Sequence, residues 1–283
     1  MIRIVTDSTC DLPQSYVERY KIKVVPIVIH FGEDVYLDGE TIDGPTFYRM
    51  IEERKALPKT SQPSPGDFAT AYREVVAAAD GDCDQIISMH VTGKLSGTFR
   101  SAQMAAEMVK DEVAVEAFDS LGGSAGLGFM CIEAARMVEA GASLKEIVAR
   151  LEYMRDEINI FLTVADLRFA QMSGRVGKLQ GALASLLNVK PIIYLDDGTL
   201  DVLERVRTYR RAVERMLELT TERVGDRPIN LGIVHAEASK EAEALLDQAR
   251  SMLNCQECYI YDLALGLAVQ FGPGTVGIIS YRV

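Results

Sequence analysis

The sequence predicts an α/β protein of two domains: an N-terminal parallel-sheet α/β domain over residues 1–157 and a C-terminal α+β domain over 158–283. Three observations predict it. At 283 residues the chain has room for one large core or two smaller ones. In the first half, short β-rich runs alternate with helical stretches, which is the pattern of a parallel sheet. Past Asp156-Glu157 the pattern changes, and Asp196-Asp197-Gly198 marks a hairpin turn between two β-rich runs.

Taken in order, residues 2–7 read as a buried strand that ends in the polar set Asp7-Ser8-Thr9, and 13–20 as a short helix. Residues 23–31 and 35–37 read as a hairpin about Gly32-Glu33-Asp34. Residues 44–53 and 65–79 are helical, 85–90 is a strand, 97–110 a helix and 113–118 a strand. Apolar stripes at helical spacing mark 122–140 and 144–156. In the second half 159–164 is a strand, and 167–187 is helical but broken around 173–178. The hairpin strands are 190–195 and 199–205. A helix at 209–223, a strand at 229–234, a helix at 240–253 and strands at 257–261 and 277–282 complete the chain. No repeat or low-complexity linker is present.

Composition narrows the function classes. Apolar residues make up 48% and charged residues 25%, ordinary for a globular protein. A net charge of −11 argues against a general binder of nucleic acid or anionic membrane, since both need a basic face. No apolar run approaches the ~20 residues of a membrane span, and the polar N-terminus is unlike a signal peptide, so a cytoplasmic protein without stable membrane insertion is expected. Five cysteines do not form a disulfide framework. Cys255 and Cys258 form one C-x-x-C with no second pair to complete a zinc site, and a reduced protein is simpler than a redox one. His30, His90 and His235 do not recur at ligand spacing, so no metal and no cofactor is expected.

The most informative stretch is Lys59-Thr60-Ser61-Gln62-Pro63-Ser64-Pro65. Pro63 and Pro65 stiffen the backbone and push Gln62 and Ser64 away from helical geometry. Ser64 reads as an N-cap, Pro65 as the first helical residue and Asp67 as an acidic third. The segment thus reads as a short rigid loop that holds Thr60 and Ser61 beside a helix start, a place that suits an anion. The plain alternative is an ordinary Pro-rich start to a helix.

In an open parallel sheet, ligands collect outside the carboxyl ends of the strands. Those ends carry Asp7-Ser8-Thr9, then Val91-Thr92-Gly93-Lys94-Leu95-Ser96-Gly97-Thr98, then Asp119-Ser120-Leu121-Gly122-Gly123. All are hydroxyl-bearing, and with Thr60 and Ser61 they form a crown of small donors. Gly93-Lys94 is not a P-loop, because Ser88 stands where the first Gly belongs and Leu95 follows the Lys. Gly122-Gly123-Ser124-Ala125-Gly126 matches G-x-S-x-G with His235 downstream, the chain order of an α/β-hydrolase. Against it, Ser124 lies past the predicted strand end in a run of small residues. A serine hydrolase using Ser124, or a binding module for another small anion, stands as the alternative function. The chain shows no metal triad and no paired carboxylates, which favours binding over catalysis.

Read together, these segments resemble the DegV family of bacterial fatty-acid-binding proteins. The resemblance rests on residues 6–13, 59–65, 95–102, Asp119-Ser120, Ser173-Gly174-Arg175-Val176 and Gly272-Pro273-Gly274, and so covers essentially the whole chain. It implies a non-enzymatic lipid-binding protein that holds one long-chain fatty acid, such as palmitate, stearate or oleate, in a groove between the two domains. It also implies a carboxylate held by Thr60, Ser61 and Thr92, with Ser96 nearby and Ser120 and Gln270 in the head-group vicinity. FakB-type members present their acyl chain to a separate ATP-dependent fatty acid kinase (FakA-like), which makes the acyl-phosphate. Such a partner would dock at Arg175 and Arg207, the latter within a cluster of Arg205, Arg207, Arg210, Arg211 and Arg215 that otherwise reads as a solvated face. One departure stands out: Gln270 occupies the family's usual His before Gly-Pro-Gly, and an amide carries no charge. Phe161, Leu162, Leu183, Leu186, Ile192 and Ile193 are candidate tail-lining residues, each more readily read as core.

Overall fold

A computed structural model describes residues 1–174 and 189–283. It divides the chain into two compact units, Met1–Asp156 and Glu157–Val283. Arg175, Leu183 and Leu186 lie outside the described residues.

The first unit is built on a four-stranded parallel sheet in the order β2-β1-β6-β7, formed by Lys23–Val25 (β2), Ile2–Asp7 (β1), Gln85–His90 (β6) and Ala114–Asp119 (β7). Parallel strands need crossover connections. Two of these are the helices Pro65–Ala78 (α3) and Thr98–Met108 (α4). Phe68, Tyr72, Ala102 and Ala105 on these helices, with Val109 just past α4, pack with Val5, Val25 and Ile86. The helix Ser124–Glu139 (α5) also follows this sheet. It runs so close to the turn after β1 that a Cβ on Gly128 would lie 2.4 Å from the Cys10 carbonyl oxygen. Helices Gln14–Tyr20 (α1), Gly44–Arg54 (α2) and Leu144–Glu157 (α6) complete the set.

A second sheet in this unit has three antiparallel strands in the order β4-β3-β5: Asp34–Leu37 (β4), Val28–Phe31 (β3) and Lys59–Ser61 (β5). Here the structure departs from the predicted elements twice. The single strand expected over 23–31 is broken at Pro26. Proline has no N–H to donate to a ladder, so Lys23–Val25 stays in the parallel sheet while Val28–Phe31 turns away to start the other. The segment expected to be a loop at Thr60-Ser61 is instead the edge strand β5, with Thr60 opposite Ile29 and Ser61 opposite Val28. The start of α3 follows the predicted cap: Ser64 and Asp67 form a reciprocal capping box with Pro65 in the first turn.

The second unit has a six-stranded mixed sheet in the order β10-β9-β8-β13-β11-β12. Its strands are Asn159–Thr163 (β8), Lys190–Asp196 (β9), Thr199–Val206 (β10), Ile229–Ala236 (β11), Cys255–Asp262 (β12) and Thr275–Arg282 (β13). Only β11 and β12 pair in parallel. The β9–β10 hairpin turns on Asp197 (φ 44) and Gly198 (φ 72), the positive-φ pair that a two-residue turn requires. Helices Tyr209–Val224 (α8) and Ser239–Met252 (α9) cover one face, where Met216, Leu217, Leu245 and Ala249 meet Phe161, Ile192, Leu231 and Ile278. Leu167–Ser173 (α7) and Leu265–Phe271 (α10) are short. The pattern did not predict α10, because six of its seven residues are buried and it has no polar face to set a period.

Candidate functional site

The loops after β1, β6 and β7 gather at one end of the parallel sheet, and a buried polar chain ties them together. Side chains alternate along β6, so Ile86, Ser88 and His90 share the face covered by α3 and α4. The register Val5↔Ser88 then sets Asp7 beside His90. Asp7 Oδ2 accepts from His90 Nδ1 at 3.1 Å and from the Val91 amide at 3.1 Å. Its Oδ1 accepts from the Thr9 amide at 3.0 Å and the Thr9 hydroxyl at 2.6 Å. His90 Nε2 lies 2.7 Å from Ser88 Oγ, to which the Tyr72 hydroxyl donates at 2.9 Å. Asp7, Ser88, His90 and Tyr72 are all 0% exposed. Burial pushes the Tyr72 phenol up to about 12, against the smaller downward pull of its bond to Ser88. None of these four was among the residues expected to hold a ligand. The available signal was the alternation of polar Ser88 and His90 within an otherwise apolar strand.

Thr92 follows directly and is buried. Its amide donates to the Gly122 carbonyl at 2.9 Å, its carbonyl accepts from Leu95 and Ser96, and its hydroxyl oxygen accepts from the Lys94 amide at 3.3 Å. Ser96 Oγ is 2.8 Å from Thr98 Oγ1 and accepts from the Thr98 amide, fixing the start of α4. The Gly93 amide donates to both carboxylate oxygens of Asp119 at 3.2 Å, which joins this loop to the one after β7. Ser120 lies in that second loop, but its hydroxyl donates to the His90 carbonyl at 2.7 Å and accepts from the Gly122 amide at 3.1 Å. It braces the two loops against each other.

The Thr60 segment comes to the same place through its neighbour. The Gln62 amide lies over Gly97, and a Cβ there would fall 2.4–2.6 Å from Gln62 Nε2, Cδ and Oε1. The residue that follows β5 is therefore in direct contact with the Thr92–Thr98 loop. Because β5 is a strand, Thr60 and Ser61 point to opposite faces. Thr60 lies on the side of buried Ile29, whereas exposed Ser61 places its hydroxyl 2.8 Å from His30 Nε2.

Two further buried carboxylates hold hydroxyls nearby. Ser8 donates to Asp38 at 2.8 Å, and Ser124 donates to Asp11. Ser124 opens α5 with φ 55, an uncommon backbone for a residue with a Cβ. Its hydroxyl faces a carboxylate rather than an imidazole. His235, the residue a hydrolase reading would use as base, lies next to the end of β11 in the other unit, with Nε2 3.6 Å from an Asp262 oxygen.

In the second unit, Gln270 is buried on α10 with Nε2 3.5 Å from the Gly266 carbonyl. The Gly272-Pro273-Gly274 loop that follows admits no side chain at either Gly. Both have positive φ, and a Cβ would lie 2.3 Å from the Phe169 ring at Gly272 and 2.5 Å from Ala165 Cβ at Gly274. The arginine cluster divides. Arg210 pairs with Glu214, Arg211 with Glu218, and Arg215 with Glu204, Glu218 and Glu222. Exposed Arg205 and Arg207 make no ion pair among the described residues. Of the tail-lining candidates, Phe161 and Ile192 belong to the core under α8 and α9. Leu162 and Ile193, partners in the β8–β9 register, are buried on the opposite face of the sheet. Cys255 and Cys258 are free thiols, and burial followed by its bond to Cys258 pushes Cys255 up to about 12, the reverse of an activated thiol. Among the described residues no cluster could hold a metal ion, and no helix is long and apolar enough to cross a membrane.

Comparison with known proteins gives a consistent result. A family model described as an uncharacterised protein of the DegV family matches residues 1–283. Protein DegV of Bacillus subtilis is 32% identical over 279 residues, covering 98% of each chain. Among solved structures, a fatty-acid-binding DegV family protein from Thermus thermophilus superposes with a TM-score of 0.93 at 34% identity, covering 100% of this chain and 99% of its own. A stearic-acid-binding protein from Eubacterium ventriosum superposes with a TM-score of 0.91 at 26% identity, covering 100% and 98%. The chain belongs to the DegV family.

Proposed function

We propose that this protein binds a long-chain fatty acid and holds its carboxylate with hydroxyls of the first unit, chiefly Thr60 and Thr92, with Ser96 beside them. The observation that carries the reading is the contact of Gln62 with Gly97, which joins the Thr60 strand to the Thr92–Thr98 loop. Two chains similar to this one along its whole length are described as binding fatty acid or stearic acid, which supports the ligand class. A carboxylate taken out of water is costly unless several donors satisfy it. Threonine and serine hydroxyls with loop amides do so without a metal. The tail contributes about 0.8 kcal/mol for each methylene removed from water, so it sets affinity while the loops set register. Leu162 and Ile193 are the described candidates for tail contact. Ser61 steadies β5 through His30, and Ser120 braces the loops.

On this reading the protein is a cytoplasmic carrier and performs no chemistry itself. Phosphoryl transfer to the carboxylate belongs to a separate fatty acid kinase, for which exposed Arg207, free of ion pairs among the described residues, is the docking candidate. Arg207→Ala should lower acyl-phosphate production with a bacterial fatty acid kinase without changing palmitate affinity. Equal production would remove Arg207 from that role.

Native mass spectrometry of protein purified from a bacterial host tests the ligand. Co-purified C16–C18 acid, or uptake of added palmitate or oleate, is expected; finding neither would sink the proposal. Labelling by a fluorophosphonate that is lost in Ser124→Ala would favour a hydrolase instead.

A further inference from the structure

We propose that Asp7 is a positioning residue for head-group binding: by gripping His90 and Val91 it fixes the backbone from which Thr92 presents its hydroxyl. The inference rests on the fatty-acid reading above.

The geometry is that of a node. An ionised carboxylate offers about four lone-pair sites. Asp7 has four donors on it: two from Thr9, one from His90 and one from Val91. The last two belong to the residues immediately before Thr92. His90 carries the constraint in two further directions. Its ring is held edge-on to Phe68 at 4.8 Å and by Ser88, which is held in turn by Tyr72. Its carbonyl takes both the amide and the hydroxyl of Ser120. One side chain thus ties the loop after β1 to the loop after β6, and through His90 to the loop after β7.

Ser88, His90 and Asp7 stand in the order of a Ser–His–Asp triad. They do not form a reactive one. Each is 0% exposed, and Ser88 Oγ already accepts from the Tyr72 hydroxyl. A network that is fully satisfied and fully buried orders its surroundings. An amide in place of the carboxylate would have one acceptor atom where four donors converge, so its NH2 would face an N–H or O–H. Asp7→Asn therefore keeps the shape and loosens the grip.

The test is a double-mutant cycle read by palmitate affinity. Thr92→Ala is expected to weaken binding at least tenfold, and Asp7→Asn at least fivefold. If Asp7 acts through Thr92, adding Asp7→Asn to Thr92→Ala costs less than a further twofold. An equal loss in both backgrounds, or no loss from Asp7→Asn alone, would overturn the positioning role. If Thr92→Ala changes nothing, the head-group assignment itself fails and the proposal fails with it, a result distinct from the other two. Should Asp7→Asn not fold, Ser88→Ala cuts the same chain one link from His90 and is read in the same cycle.

Discussion

Two regions, one in each unit, spend their polar residues in opposite ways. In the first, polar groups lie inside, at the carboxyl end of a parallel sheet: Asp7, Ser88, His90, Thr92 and Ser120 are all buried and bonded to one another or to nearby backbone. In the second, the region under α8 and α9 is apolar, and charge is placed on the outer side of α8, where three arginines are absorbed by glutamates. The contrast teaches where recognition can be built. Buried, mutually fixed donors hold a geometry. Exposed ion pairs cost little to rearrange and stabilise little.

The contrast can be broken or sharpened by substitution, starting where the effect is greatest. Phe161→Ala should remove about 3–5 kcal/mol of stability, since Phe161 is 1% exposed within the second unit's core. Chemical denaturation measures this. Ser88→Ala should cost about 1–3 kcal/mol, because it leaves the Tyr72 hydroxyl and His90 Nε2 without their shared partner. Unlike Phe161→Ala, it should also weaken palmitate binding. Equal effects of the two on affinity would erase the distinction between the units.

Gly97→Ala sharpens it differently. Its Cβ meets only the end of an exposed, flexible Gln62 side chain, so stability should fall by less than about 1 kcal/mol. Palmitate affinity should nevertheless fall about fivefold, the equivalent of ~1 kcal/mol, as the two segments are pushed apart. Titration calorimetry beside thermal unfolding separates the two effects.

Arg215→Met removes the centre of a three-glutamate network and should cost about 1 kcal/mol, shrinking with added salt. Its pH dependence has a definite sign. The bond to Arg215 holds Glu204 below its ordinary 4.5, and bonds to Arg211 and then Arg215 do the same for Glu218. Lowered carboxylates contribute stability that is present above 4.5 and lost as pH falls through their folded values. The wild type should therefore lose more stability than Arg215→Met on acidification below about 4.5.

Much of the fold was legible because period and punctuation agreed. Strand Gln85–His90, the Ser64–Asp67 cap and the Asp197-Gly198 turn all have local causes. What was not legible depends on partners distant in sequence. Nothing local says that Lys59–Ser61 will find β3, and this pairing turns Ser61 away from Thr60. Helix α10 hides because burial on all sides erases its period. At the site, the hydroxyl-bearing loops could be read from the strand ends, but the Asp7–His90 link is set by the register of β1 on β6. No spacing along the chain encodes that register. Gln62 could be read only as the residue ahead of Pro63, because its contact with Gly97 depends on the fold.

The most direct test is the palmitate affinity of Thr92→Ala beside that of Thr60→Ala. Each removes a charge-assisted hydroxyl donor worth about 1.5–3 kcal/mol, so a loss of roughly tenfold or more is expected from either. Wild-type affinity in both variants would contradict the claim that the first unit's loops hold the carboxylate.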